Sequence, residues 1–162
     1  MLTNYMYIHI FVCMKIEEEI KQKRFDSEYA KLIVNIIFTG NWINLKTSEI
    51  LKKENLTLQQ YNILRILRGQ YPAPASVNML IERMLDKMSN ASRIVDKLEV
   101  KELAERKINP DDKRFADVLI TEKGLNVLKV LDEKIKETEK NILHLNKTEV
   151  KLINDLLDKL RG

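Results

Sequence analysis

The 162-residue chain carries 28 Lys and Arg against 24 Asp and Glu, a net charge of +4, with 44% hydrophobic and 32% charged residues. That length supports one domain with a real core and excludes two independent domains of ordinary size. Four Gly and three Pro are too few for a turn-rich β architecture, the single Cys13 excludes an internal disulfide framework, and the mild basic excess permits a polyanionic partner without demanding one.

The first residues, MLTNYMYIHIFVCMK, are apolar. No basic residue precedes the run and no small-residue cleavage site follows it, so it does not read as a signal peptide. It is also shorter than the ~20 apolar residues of a spanning helix. Met14, with the soluble-looking sequel KIEEEIKQKRF, is an alternative start to Met1 and would leave 1–14 as an upstream apolar leader. Cys13, His9 and His144 form no metal-ligand spacing, and unpaired cysteine usage fits a reducing, cytoplasmic setting without membrane association.

From Ile16 to about Leu56 the spacing predicts a long helix with an apolar stripe at Leu32, Ile33, Ile36, Ile37 and Ile43, widened by Phe38 and Trp42. That surface exceeds what one small core uses, so it packs either against a second chain or within its own. Thr57 is a good N-cap for a second helix with Leu58, Tyr61, Leu64 and Leu67 on one face and Gly69 as its stop. After QYPAPA, Ser76 caps a short helix with apolar Val77, Leu80, Ile81 and Met84.

DKMSNASRIVDKLEVK then sends Met88, Ala91, Ile94, Val95 and Leu98 inward at helical spacing. Its start is open between Asp86 and the Ser89 region. Two short helices in tandem make a helix-turn-helix candidate. LAERKI and FADVLIT read as strands joined by the turn chemistry of NPDD, and together they form a hairpin. Thr121 caps a further helix bearing Leu125, Val127, Leu128, Leu131 and Ile135. A last helix, with Val150, Ile153, Leu156, Leu157 and Leu160, opens on the capping box NKTE.

The expected fold is therefore mainly α with a small β-hairpin, α+β in class. A helix-turn-helix followed at once by a hairpin is a winged helix, which sets one helix in the DNA major groove and the hairpin beside it. Ser89, Asn90 and Ser92 are short donors and acceptors near a helix N-terminus, Arg93 and Lys97 add charge four residues apart, and Ser76 caps the preceding helix. Taken alone, such a face also fits an ordinary solvated surface; the order of elements around it favours DNA. No phosphate-cradling glycine loop, nucleophile–base arrangement or carboxylate cluster meets the demands of catalysis, so no catalytic residue, metal or cofactor is assigned.

LTLQQYNILRIL, ERMLDKMSNASRIVDKLEVKELAER and NPDDKRFADVLITEKG resemble successive blocks of the MarR regulators, dimeric winged-helix transcription factors of bacteria. The resemblance covers roughly Leu56 to Gly124. It implies a recognition helix within Asp86 to Lys101, a wing arginine, Arg114, in the minor groove, and a winged lobe over 57–120. Residues 15–56 and 121–162 would form the helical dimerisation lobe, and the homodimer would read a pseudo-palindromic operator in double-stranded DNA, as repressor or activator.

The family pattern has Gly in a K-G-L triplet after the recognition helix, where this chain has Glu102; the position then either accepts a left-handed backbone or the helix ends differently. The resemblance implies regulation by a small phenolic or lipophilic anion, for which Tyr29, Trp42, Tyr61 and Met79 are candidate pocket residues with core packing as the alternative, or by oxidation of a cysteine, for which Cys13 lacks basic neighbours on both sides. A winged helix that binds protein in place of DNA is the alternative function. At the wing, Asp112 and Arg114 project to the same side of an extended strand with Lys113 opposite, so Asp112 is expected to orient Arg114. Loss of Arg114 would then cost about 1–3 kcal/mol of DNA affinity, and loss of Asp112 would weaken binding too.

Overall fold

A computed structural model describes residues 14–108, 116–142 and 144–162. Its contacts divide the chain into two units, one up to Asn44 and one from Leu45 to Gly162. The expected long first helix is interrupted. A short α1 (Ile16–Glu19) ends where Lys21 takes a left-handed φ of +55°, and α2 (Glu28–Leu51) starts afresh where the Ser27 hydroxyl accepts the Ala30 N–H at 3.1 Å. Between them, Glu17 and Lys31 pair at 2.7 Å, which holds the Glu17 carboxyl below and the Lys31 ammonium above their usual ranges. Along α2, Leu32, Ile33, Ile37 and Ile43 are exposed.

In the second unit a 3₁₀ turn (Lys52–Glu54) leads to α3 (Leu58–Gln70). Thr57 and Gln60 form a reciprocal capping box, each side chain accepting the other's backbone N–H at 3.2 Å. The helix runs through Gly69 and ends at Gln70, before Pro72, whose ring cannot continue it. A two-residue strand β1 (Ala75–Ser76), too short to leave a sequence pattern, precedes α4 (Val77–Arg83). After α5 (Ala91–Val100) come β2 (Ala104–Ile108), β3 (Ala116–Ile120), α6 (Glu122–Ile142) and α7 (Lys147–Arg161).

The three strands form an antiparallel sheet in the order β1-β3-β2, with Arg106 opposite Val118 and Ser76 opposite Asp117. Helix α3 supplies the centre of the core: Ile63, Leu64 and Leu67 are buried with Leu80, Val95, Leu98, Val118, Ile120, Leu128 and Leu131. Each such side chain contributes about 1.5–3 kcal/mol relative to exposure, enough to fix the α3, α5, α6 and sheet arrangement. Two expected core residues are instead at the surface. Ile81 is 45% exposed on the outer side of α4, and Met88 is 95% exposed because it precedes the first turn of α5 and escapes its periodicity.

Candidate nucleic-acid interface

The α4–α5 connection is built by its polar side chains. Ser76 caps α4, its hydroxyl accepting the Met79 N–H at 3.2 Å. Lys87 donates to the carbonyls of Ile81 and Glu82, neutralising the negative end of that helix. Asn62 on α3 accepts the Leu85 N–H at 2.9 Å. Asp86 then gathers the Ser89 hydroxyl at 2.6 Å, the Met88 N–H at 3.0 Å and the Gln59 amide at 3.5 Å. The Ser89 hydrogen bond above all, then the Met88 N–H, holds the Asp86 carboxyl below its usual range. Asn90 closes the turn as N-cap of α5, accepting the Arg93 N–H at 3.0 Å.

Ser89 and Asn90 therefore each spend part of their hydrogen-bonding capacity on the fold. Ser89 retains oxygen lone pairs and Asn90 its amide N–H groups for a ligand. Ser92, Arg93 and Lys97 are exposed on α5, beside Ser89 and Asn90. Arg93, Lys97 and Lys101 recur every four residues and border an open groove of about 830 Å³, whose other wall is Thr57, Gln59 and Gln60 at the start of α3.

Lys101 is less available than its neighbours: its ammonium donates to the Asn55 carbonyl and, at 2.9 Å, to the buried Gln60 side chain, and burial followed by the charge of Lys97 lowers its pKa. The same Gln60 oxygen accepts the Thr57 N–H, so the C-terminus of α5 is tied to the cap of α3. The opposite edge of α5 is acidic, with Asp96 and Glu99 against Arg106 of β2. Sequence reasoning missed Asp86, Lys87, Lys101 and Arg106, whose partners lie on other elements or across a turn; only the D-x-x-S spacing of Asp86 and Ser89 carried a local signal.

Glu102 follows α5 with φ +61°, accepting the left-handed backbone that glycine supplies elsewhere in the family pattern. Its N–H donates to the Glu99 carbonyl at 2.8 Å, and its carboxylate pairs with Lys123 at 2.7 Å. Asp112, Lys113 and Arg114 lie outside the described residues. Of the effector candidates, Tyr29 and Trp42 are exposed on α2 in the first unit. In the second unit, Tyr61 is buried in α3 with the Arg65 guanidinium 5.7 Å from its ring centre, and Met79 packs against the core.

Among the described residues, no group of three or more His, Cys, Asp or Glu could hold a metal ion, and no helix is long and apolar enough to cross a membrane. A capped short helix, a side-chain-locked turn, a second helix with an exposed polar face and an adjoining antiparallel hairpin define a winged helix-turn-helix DNA-binding regulator.

The model of the MarR family matches residues 56–115. The HTH-type transcriptional regulator MhqR of Bacillus subtilis (strain 168) is 28% identical over 131 residues, 80% of this chain and 89% of MhqR. Among solved structures, a MarR-like transcription regulator from Bacillus cereus ATCC 10987 superposes with a TM-score of 0.73 at 21% identity, over 83% of this chain and 96% of that one. BpsR of Bordetella bronchiseptica, whose DNA binding is regulated by 6-hydroxynicotinic acid, gives 0.68 at 18% identity, over 79% and 91%. Over residues 56–115 the chain is similar to the MarR family of DNA-binding transcriptional regulators, and its fold is theirs.

Proposed function

We propose that the protein acts as a homodimer on a pseudo-palindromic operator, with α5 in the major groove and the wing beside it. Ser89, Asn90, Ser92, Arg93 and Lys97 would meet bases and phosphates, Ser76 the backbone at the start of α4, and Arg114, held by Asp112 with Lys113 alongside, the minor groove. The observation that carries this reading is the polar, solvent-facing first half of α5, presented by a turn that its own side chains lock with hydrogen bonds while Ser89 and Asn90 keep capacity for a ligand. Such a turn fixes the helix before DNA arrives, so little ordering entropy is lost on binding.

Residues 57–120 would be the DNA-binding lobe, and 15–56 with 121–162 the dimerisation lobe. The exposed apolar residues of α2 and of α7, Leu152, Ile153, Leu156 and Leu160, support a second copy as the partner. Release by a small hydroxylated aromatic anion is the proposed regulation, supported by the effector of BpsR and of the same chemical class as the phenolic ligands of the family.

Fluorescence anisotropy on a duplex from a binding-site selection, repeated across a salt series, tests the reading. Affinity should fall steeply with salt, since each phosphate neutralised adds about 0.9 to the log–log slope. Affinity flat with salt, or no affinity for any duplex, sinks it and favours a protein-binding winged helix. Light scattering should give twice 19.1 kDa, and Ile153→Glu with Leu156→Glu should give monomers that bind the operator poorly.

A further inference from the structure

Strand β2 is an edge strand, so the N–H groups on its outer side have no strand to pair with. At Arg106 that N–H donates to Glu99 Oε1 on α5 at 3.0 Å. The guanidinium of the same residue also turns onto the helix. Its Nη1 lies 2.5 Å from Asp96 Oδ1 and 3.0 Å from Glu99 Oε2, and its Nη2 donates to the Ser92 carbonyl at 3.1 Å. Ser92, Asp96 and Glu99 follow one edge of α5 across two turns. With Arg106 28% and Glu99 31% exposed, that pair is shielded from solvent more than a free surface pair, whereas Asp96 is 56% exposed and adds less.

We propose that Arg106 is a positioning residue for operator reading, which rests on the DNA-reading role of α5 stated above. By holding Ser92, Asp96 and Glu99 together it joins the wing and the proposed recognition helix into one body, and its single charge offsets half of that of the two carboxylates on the helix that would meet a polyanion. Three acceptors at three positions require the planar, multi-donor guanidinium; a lysine ammonium supplies the charge and not the fork. Core packing seats α5 on the sheet, and the Arg106 grip restrains the remaining freedom between hairpin and helix, and with it the spacing at which α5 and the wing would reach adjacent grooves.

The test compares the full-length wild type, Arg106→Lys, and Asp96→Asn with Glu99→Gln, by anisotropy on the selected operator duplex and on an unrelated duplex, with thermal melting of each protein. The first variant keeps the charge and loses the grip; the second frees Arg106 and makes the lobe more positive. Both are expected to bind the unrelated duplex at least as well as wild type and the operator roughly ten-fold more weakly, narrowing the specificity ratio. A purely structural role would lower the melting temperature and leave the ratio of the folded protein unchanged. That outcome overturns the proposal, as does tighter operator binding by the carboxylate variant. Arg106→Lys decides alone if the carboxylate variant does not fold. A wild type that binds no duplex removes the DNA-reading role and this one with it, whereas a wild type that discriminates, with variants that discriminate equally, removes only this one.

Discussion

Thr121 donates its hydroxyl to the carbonyl of Glu102 at 2.7 Å, joining the residue after α5 to the start of α6. The same hydroxyl accepts the Gly124 N–H at 3.1 Å, and the Thr121 N–H reaches the Leu103 carbonyl at 3.2 Å. Glu102 is thus held in its left-handed conformation from both sides. Glu102→Gly should relieve that backbone and raise Tm by roughly 1–3 °C, while Glu102→Val, β-branched at positive φ, should lower it by more. Differential scanning calorimetry of the two variants checks the order; a lower Tm for the glycine variant would mean that the Lys123 pairing outweighs the strain.

Gly124 is required for a different reason. A Cβ there would stand 2.3 Å from the Leu103 carbonyl oxygen and 2.8 Å from the Ile120 side chain. The first obstacle is backbone and cannot swing aside. Gly124→Ala should cost about 2–3 kcal/mol, despite the better helix propensity of alanine, because α6 must move off the sheet. Urea denaturation measures it, and a stabilised variant would contradict the close approach.

Asn90 has two tasks that substitution can separate. Asn90→Asp keeps the oxygen that caps α5, so stability should stay within about 0.5 kcal/mol, yet it loses the amide donors and brings a negative charge toward DNA. Asn90→Ala should cost about 1 kcal/mol of stability. Operator affinity should fall in both, and further for aspartate at low salt; equal operator affinity in all three proteins would confine Asn90 to capping.

Asp86 gives the turn a pH dependence with a definite sign. Its folded pKa lies below that of the unfolded chain, because the carboxylate accepts Ser89, Met88 and Gln59. The stabilisation is present above the unfolded value of about 3.9 and is lost as pH falls through the lower, folded value. The Tm gap between wild type and Asp86→Asn should accordingly be constant above about pH 5 and narrow as pH falls below the unfolded value. Glu102, lowered by Lys123, titrates in the same direction in both proteins and cancels in the difference. A gap that widens in acid would reverse the assignment.

Much of this fold was legible locally. Thr57, Ser76 and Asn146 cap helices where their sequence neighbours said they would, because a cap is a contact across three residues. Leu64, Leu67, Leu98, Leu128 and Leu131 followed from helical spacing and are buried. Periodicity failed at Met88, where it was carried one turn past the true N-cap, and at residues 20–27, where apolar spacing bridged a break set by Lys21 and Ser27. The Arg106 grip joins residues up to fourteen apart on a helix and a strand. Nothing in a linear pattern distinguishes that arginine from one more solvated cation, so the site was legible as a surface and not as a mechanism.

Between Ala91 and Val100 the proposed recognition helix carries Arg93 and Lys97 against Asp96 and Glu99, equal numbers of opposite charge. Such a helix would gain less from phosphates alone than an all-basic one, and its dwell time on arbitrary sequence would be shorter. For a regulator surrounded by an excess of wrong sites, time lost on each of them sets how soon the right one is found. On the proposed reading, the balanced charge of α5 would trade grip for speed of search, leaving residence on the operator to base contacts.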